Sequence, residues 1–443
     1  MHPLNRVSVS RRKFQEVAAM NDSRPILPEA DQARIEQWIH ELDQFNATPG
    51  EGVTRQYLTD EEWNARLYLR REMEALGLQV EMDCMGDLLG TLPGSEPDLA
   101  PVWTGSHFDT VLHGGSFDGA AGVVTALEAV RRIIASGAPR KRNLTVVAYS
   151  AEEPARFGIG CIGSRAMAGM LTVPDLKKFC DKDGLSLYDA LKARGLNPDD
   201  IESCRRKSGD VFCSLELHIE QNSVLERAGV PLGIVKAICA PLNLNVTVTG
   251  QAAHAGGMPM SERKDAFAAA CEMSLALERM TRENRASEYC TGTVGSISIA
   301  PNASNIIPRE ASFTVDIRDC DAASKDALLA QVQSEFQAIA QRRGVGLTMT
   351  LQNNDTPAVS HPALMELLEK SCQSRGIACQ SLISGPFHDS MMLASFTPIG
   401  MLFVPSRDGL SHCPEEWTDP AHLKAGAQVL GDALLELVNR DAL

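Results

Sequence analysis

The chain has 443 residues, of which 44% are hydrophobic and 22% charged, a composition that excludes fibrous and disordered classes. Its length exceeds the roughly 250–300 residues at which single cores stop growing, so more than one domain is expected. Forty-two Lys and Arg against 57 Asp and Glu give a formal charge of −15, which disfavours nucleic acid and anionic lipid and leaves a small molecule as the expected partner.

The opening "SRRKFQEVAAMNDSRP" holds Arg11 and Arg12 but no apolar run after them, so it is not read as an export signal. Residues 1–27 are expected to be an N-terminal extension. No stretch of about 18 apolar residues follows, which argues against a membrane span. Twelve cysteines are scattered without a CxxC pair, the usage of reduced thiols in a cytoplasmic protein.

From 28 to about 80, "ARIEQWIHELDQF" and "EEWNARLYLRREMEALGL" repeat apolar residues at three and four positions, predicting two helices, the second stopped by Gly77. The runs "APVWTGSH", "NLTVVAYSAEE", "VFCSLELHIEQ" and "IGMLFVPS" predict buried strands, and "GAAGVVTALEAVRRIIASG" predicts a helix between the first two. That order implies βαβ units, hence an α/β fold with a mostly parallel sheet. Near Cys239 the texture changes. "LNLNVTVTGQAAHAG" and "ASFTVDIRD" alternate apolar and polar residues, while "RKDAFAAACEMSLALERM" and "SKDALLAQVQSEFQAIAQRRG" are amphipathic. Residues 240–352 are therefore expected to form an inserted α+β domain, with 28–239 and 353–443 making a discontinuous first domain.

Candidate ligands gather at or just past the predicted strand ends: His107, Asp109, Asp118, Glu152, Glu153, His218 and His412. In open α/β sheets, ligands bind outside the carboxyl ends of the strands, so these distant segments are expected to converge. Imidazole and carboxylate suit Zn²⁺, Mn²⁺ or Co²⁺, and one carboxylate can bridge two ions about 3.5–4 Å apart. The expected arrangement uses Asp118 as the bridge, with His107 and His218 on one ion and Glu153 and His412 on the other. Asp109 would hold the far nitrogen of His107. Glu152 remains as general base and then acid. Taken singly, each of these residues is more simply a hydrogen-bonded histidine, a turn aspartate or a solvated glutamate. Their joint placement at strand ends favours the site.

The segments "GSHFDTVLHGGSFDG", "EEPARFGIGCIGSRAMAG", "LELHIEQ", "GQAAHAGGMPM", "NASNIIPREASFTVDIRD" and "VPSRDGLSHCPEE" resemble the M20 metallopeptidase and amidohydrolase family. Within it they resemble the branch of allantoate amidohydrolases, L-N-carbamoylases and β-ureidopropionases. The resemblance implies two divalent ions per subunit on the five ligands above, with Glu152 as acid/base. It implies a homodimer built through the inserted domain, with His254 reaching the partner's site to stabilise an oxyanion. It also implies that Gln221, Asn305 and Arg318 hold the substrate, Arg318 through a carboxylate. Histidine at 218, where the family's peptidases usually carry a carboxylate, points to hydrolysis of a linear C–N bond in an N-carbamoyl amino acid or ureido acid, releasing ammonia and carbon dioxide. The alternatives are an aminoacylase or dipeptidase, a hydrolase of another small amide or aromatic amino acid, and a silent binding protein on the same fold. The chain departs from the family pattern at Pro154, Ala155, Asn222, Ser223, Gly257, Met258, Pro386 and Phe387, and these departures bear on the pocket rather than on the metal ligands.

Overall fold

The computed structural model describes residues 27–443. The N-terminal extension expected over 1–27 lies outside the described residues except for Leu27, whose side chain is buried in the core.

Helix Gln32–Leu42 starts where the Asp31 carboxylate accepts the Arg34 N–H. Helix Asp60–Ala75 is capped by Thr59 and opens with Asp60, Glu61 and Glu62, negative charges that complement the positive end of the helix dipole. It ends before Gly77, which takes φ +83, a conformation glycine adopts without a Cβ clash. Ile35, Trp38, Leu69 and Met73 from the two helices enter the main core.

The first sheet contains β1 (Gln79–Met82), β2 (Leu88–Leu92), β3 (Val102–His107), β4 (Leu144–Tyr149), β5 (Cys213–Ile219) and β6 (Leu232–Ile238). The second sheet follows with β7 (Ala240–Thr249), β8 (Cys290–Ala300), β9 (Glu310–Asp319) and β10 (Gly346–Asn354). The chain then returns to the first sheet with β11 (Ala358–Val359), β12 (Cys379–Ser384) and β13 (Ile399–Val404).

The nine-stranded sheet has the order β1-β2-β4-β3-β5-β13-β6-β11, with β12 beside β6. Its centre, β4-β3-β5-β13, is parallel, and every residue of those four strands is buried. Burial on both faces explains why they read as continuous apolar runs. The margins are mixed: β1 pairs β2, β2 pairs β4, and β6 pairs both β13 and β11 antiparallel, while β12 pairs β6 parallel. The short turn between β1 and β2 leaves no room for the crossover that a parallel pair needs.

After β3 the chain crosses through helix Ala120–Ser136 to β4 on one side, while β5 lies on the other. The carboxyl ends of β3 and β5 therefore flank a topological switch point, where a crevice forms in an open sheet.

The second sheet is antiparallel, ordered β10-β7-β9-β8. Val246, Phe313 and Val315 on its inner face pack against Met273 of helix Ala266–Glu283 and Phe336 of helix Ala322–Arg343. Strand β8 is an edge with no buried residue along its length. No helix among the described residues is long and apolar enough to cross a membrane, and all twelve cysteines are free.

Candidate metal centre

His107 closes β3 and His218 stands next to last in β5, so the strand register brings two imidazoles to the same end of the sheet. Their Nε2 atoms lie 3.4 Å apart. Asp118 sits in the glycine turn that feeds helix Ala120–Ser136, with one oxygen 3.7 Å from His107 Nε2 and 3.2 Å from His218 Nε2. Its other oxygen lies 3.0 Å from His412 Nε2, which is also 3.0 Å from Glu153. Two ligand groups, His107–Asp118–His218 and Asp118–Glu153–His412, share Asp118, and a third, Glu216–His218–His388, shares His218 with the first.

The turn must be glycine at 119. Gly119 adopts φ +64, and a Cβ there would stand 2.4 Å from the His107 ring. Any side chain would displace the imidazole. His412 and Gln221 take φ +58 and +55, and Ala151, just before the glutamate pair, takes φ +52. Such left-handed conformations cost free energy in non-glycine residues and cluster at functional sites.

The donor set fits divalent ions on its own chemistry. His107 Nδ1 donates to the carbonyl of Asp109 (3.2 Å) and His218 Nδ1 to the carbonyl of Ile219 (2.9 Å). With both Nδ1 atoms protonated, both Nε2 atoms of neutral rings turn lone pairs toward the same carboxylate, where the Gly119 N–H, 3.3 Å from His218 Nε2, is a backbone donor, and such a meeting of acceptors suits a cation.

Burial disfavours the charged form of His107, but Glu152, Asp109 and Asp118 raise its pKa well above the usual value. Hydrogen bonds to Asp118 and Glu153 push His412 up to about 11. Asp118 is buried, yet His218 and His412 hold its carboxyl well below the ordinary range.

Glu152 and Glu153 lie past the end of β4, on a turn that departs from the extended strand expected there. The two side chains diverge: Glu153 meets His412, while Glu152 lies 3.9 Å from His107 Nε2. Burial, reinforced by Glu153, Asp389 and Asp118 and opposed by His107, raises the Glu152 pKa well above the usual carboxylate range. A buried carboxyl with a raised pKa beside the ligands is suited to proton transfer.

The Asp109 carboxylate lies 3.5 Å from His107 Nδ1, with the Asp109 carbonyl nearer at 3.2 Å. The carboxylate accepts the backbone N–H groups of Glu152 (3.1 Å) and Glu153 (3.2 Å), so it anchors the glutamate turn. Gln221 donates to Asp118 at 2.9 Å, while its own amide oxygen is buried without a partner among the described residues.

The remaining candidates make no hydrogen bond or ion pair with this cluster among the described residues. His254 and Asn305 are exposed on neighbouring loops, joined where the Ala255 N–H meets the Asn305 carbonyl. Arg318, on β9, is half-buried and bonds Asp316 at 3.1 Å. Phe387 is half-buried with its ring against Gly160, where a Cβ would lie 3.0 Å from the ring carbons.

Three residues were not anticipated. Glu416 accepts the N–H groups of Phe117 (2.9 Å) and Asp118 (3.0 Å) and the Ser411 hydroxyl (2.7 Å), tying the His412 loop to the Asp118 turn. Glu216, two positions before His218, accepts from Ser106 (2.7 Å) and Ser390 (2.6 Å). The His388 ring lies 4.4 Å from that of His218, and burial lowers its pKa well below normal. For Glu216 the alternation with His218 on one strand was a usable signal; Glu416 and His388 had none.

The family model for peptidase family M20/M25/M40 matches residues 91–436. N-carbamoyl-L-amino acid amidohydrolase of Geobacillus stearothermophilus is 39% identical over 404 residues, covering 91% of this chain and 98% of that protein. Ureidoglycolate hydrolase of Oryza sativa subsp. japonica is 36% identical over 411 residues, covering 92% of this chain and 85% of that protein. The crystal structure of an amidase of the hydantoinase/carbamoylase family from Burkholderia multivorans aligns with a TM-score of 0.85 at 31% identity, covering 93% of this chain and 99% of the other.

Proposed function

Since the chain belongs to peptidase family M20/M25/M40 and is an amidohydrolase, we propose that it hydrolyses the linear C–N bond of an N-carbamoyl-L-amino acid or a related ureido acid, such as allantoate or β-ureidopropionate. The products would be the amino acid, ammonia and carbon dioxide. The observation that carries this reading is the Asp118 carboxylate shared by two histidine-containing ligand groups. His107, Asp118 and His218 would hold one ion, and Asp118, Glu153 and His412 the other, with Zn²⁺, Mn²⁺ and Co²⁺ all suited to these donors. Such ions, when bound, supply Lewis acidity and make a water molecule easier to deprotonate.

The chain's own groups would do the rest. Glu152 takes a proton from the attacking water and delivers it to the departing nitrogen. Asp109 keeps Glu152 in place through its backbone N–H. Arg318 offers a planar fork to the substrate carboxylate, exchanging its present partner Asp316. Asn305 and Gln221 would complete the grip. Metal-loaded protein should turn over N-carbamoyl amino acids or other ureido acids in preference to acylamino acids and dipeptides. A substrate panel checks this; preference for acylamino acids or dipeptides would replace the reading, and inertness toward every class would end it.

We further place the division between a catalytic unit and a dimerisation unit at about residues 240 and 352, with the protein acting as a homodimer in the cytoplasm. His254 supports the trans arrangement. It is exposed, and its Nδ1 accepts the Gly256 N–H at 3.1 Å, so Nε2 carries the proton and is available as a donor to an oxyanion. His254→Ala and Glu152→Gln homodimers should each be nearly inactive. Their heterodimer should recover about half of the wild-type turnover, because one of its two sites then has both Glu152 and the partner's histidine; loss of one oxyanion donor alone costs about 10²–10³ in rate. Differently tagged chains, co-expressed and purified as heterodimers, provide the measurement. Heterodimers as inactive as both parents would show that His254 does not act in trans.

A further inference from the structure

The assignment of Glu152 as acid/base leads to a question of alignment. The proposed acid/base follows β4 of the first sheet, while of the proposed substrate grips Arg318 stands on β9 of the second sheet and Asn305 on the loop that leads into it. We infer that the ion pair between Arg165 and Asp355 is a positioning device that holds the Glu152 turn in register with the second sheet.

Arg165 lies in the short helix Ile162–Met167. Its Nε donates to the Gly160 carbonyl at 3.0 Å, while its two terminal nitrogens reach the two oxygens of Asp355 at 3.1 and 2.8 Å. Both side chains are only 15% exposed, so solvent screens the pair less than it would a surface pair. The segment beside Gly160 is bonded directly to the catalytic turn. Cys161 N–H donates to the carbonyl of Glu152 (2.9 Å), Ile162 N–H to Ala151 (3.0 Å) and Gly163 N–H to Ser150 (3.0 Å). These bonds hold Ala151 at its positive φ, a conformation that persists only when its surroundings impose it.

Asp355 is fixed from the opposite side. It follows β10, where the chain leaves the second sheet. Its N–H donates to the Pro241 carbonyl of β7 at 3.1 Å, and its carboxylate also accepts from Asn353 of β10 at 3.2 Å. Its carbonyl accepts from Lys325 of helix Ala322–Arg343, whose side chain is buried. Asp355 thus follows both the strands and the helical layer of the second sheet. A shift of that layer moves the carboxylate, the carboxylate carries the guanidinium, and the guanidinium pulls on the loop bonded to Glu152.

Only arginine meets this geometry, because a rigid fork plus a third N–H is needed to hold two carboxylate oxygens and a carbonyl at once. Lysine keeps the charge but is a single point donor on a flexible stem.

Arg165→Lys should therefore lower kcat about tenfold or more, since misplacement by about 1 Å can cost about 10²-fold, with KM and metal content close to wild type. Asp355→Asn should do the same and serves if the lysine variant does not fold. A purely structural role would show instead as lost metal or lost folded protein. In a Glu152→Gln background, Arg165→Lys should add less than about a twofold loss, because the pair acts through the carboxylate already removed. Unchanged kcat in both single variants, or a full additional tenfold loss in the Glu152→Gln background, would overturn the inference. Full turnover by Glu152→Gln itself would instead overturn the acid/base assignment on which it rests.

Discussion

Asp118→Asn should remove most of the bound metal and reduce turnover by more than the roughly 10–100-fold typical of losing a residue that merely orients a ligand. The reason is geometric. One oxygen of Asp118 faces His107 and His218, and the other faces His412, so no other side chain here belongs to both groups. Asparagine keeps the volume but replaces one oxygen by a donor nitrogen, and it removes the negative charge that offsets two cations in a buried site. The expected readouts are metal per chain by elemental analysis and turnover after reconstitution. An Asp118→Asn protein that keeps two ions per chain and full activity would eliminate the shared-carboxylate arrangement.

Glu152→Gln should leave the metal content nearly intact and lower turnover by about 10²–10⁴, the range attributed to positioned acid/base groups. The carboxyl is buried, and its surroundings raise its pKa, which makes it a stronger base toward water and a competent donor afterwards. The amide has the same shape but neither accepts a proton from water nor returns one. Its backbone N–H still reaches Asp109, so the turn itself should persist, and the melting temperature should change little. Single-turnover kinetics on the reconstituted variant separate the chemical step from binding, and wild-type rates there would rule Glu152 out as the proton carrier.

Arrangement at the site was partly legible from the chain because the relevant signals are local. His107 and His218 fall at the ends of apolar runs, and a strand buried on both faces must deliver its last residues to the edge of the sheet. The glycines of "GGSFDGAAG" announced a tight turn, and the close approach of Gly119 to His107 is its physical reason. Less legible was the work of individual carboxylates. Asp109 is two residues from His107 and suggested an imidazole partner. In the structure the nearer acceptor is its own carbonyl, and the carboxylate is taken by two amide groups more than forty positions away.

What the sequence by itself determined is the inventory of elements and donors: two capped helices, the apolar runs of β3, β4, β5 and β13, the alternating strands of the second sheet, and metal-suited side chains at strand ends. Hydrophobic periodicity, caps and donor chemistry are properties of a few consecutive residues, so they can be read without knowing the fold. Only the tertiary structure decided which donors share a point in space, that antiparallel pairs flank the parallel centre of the first sheet, and that Glu416 grips the Asp118 turn from 298 positions away. It also set Glu216 between Ser106 and Ser390, joined Arg165 to Asp355, and left His254 exposed and not hydrogen-bonded to the cluster in its own chain. Those contacts depend on strand order and on burial, which lets a few hydrogen bonds hold carboxylates that would otherwise remain in water. No short stretch of residues carries that information.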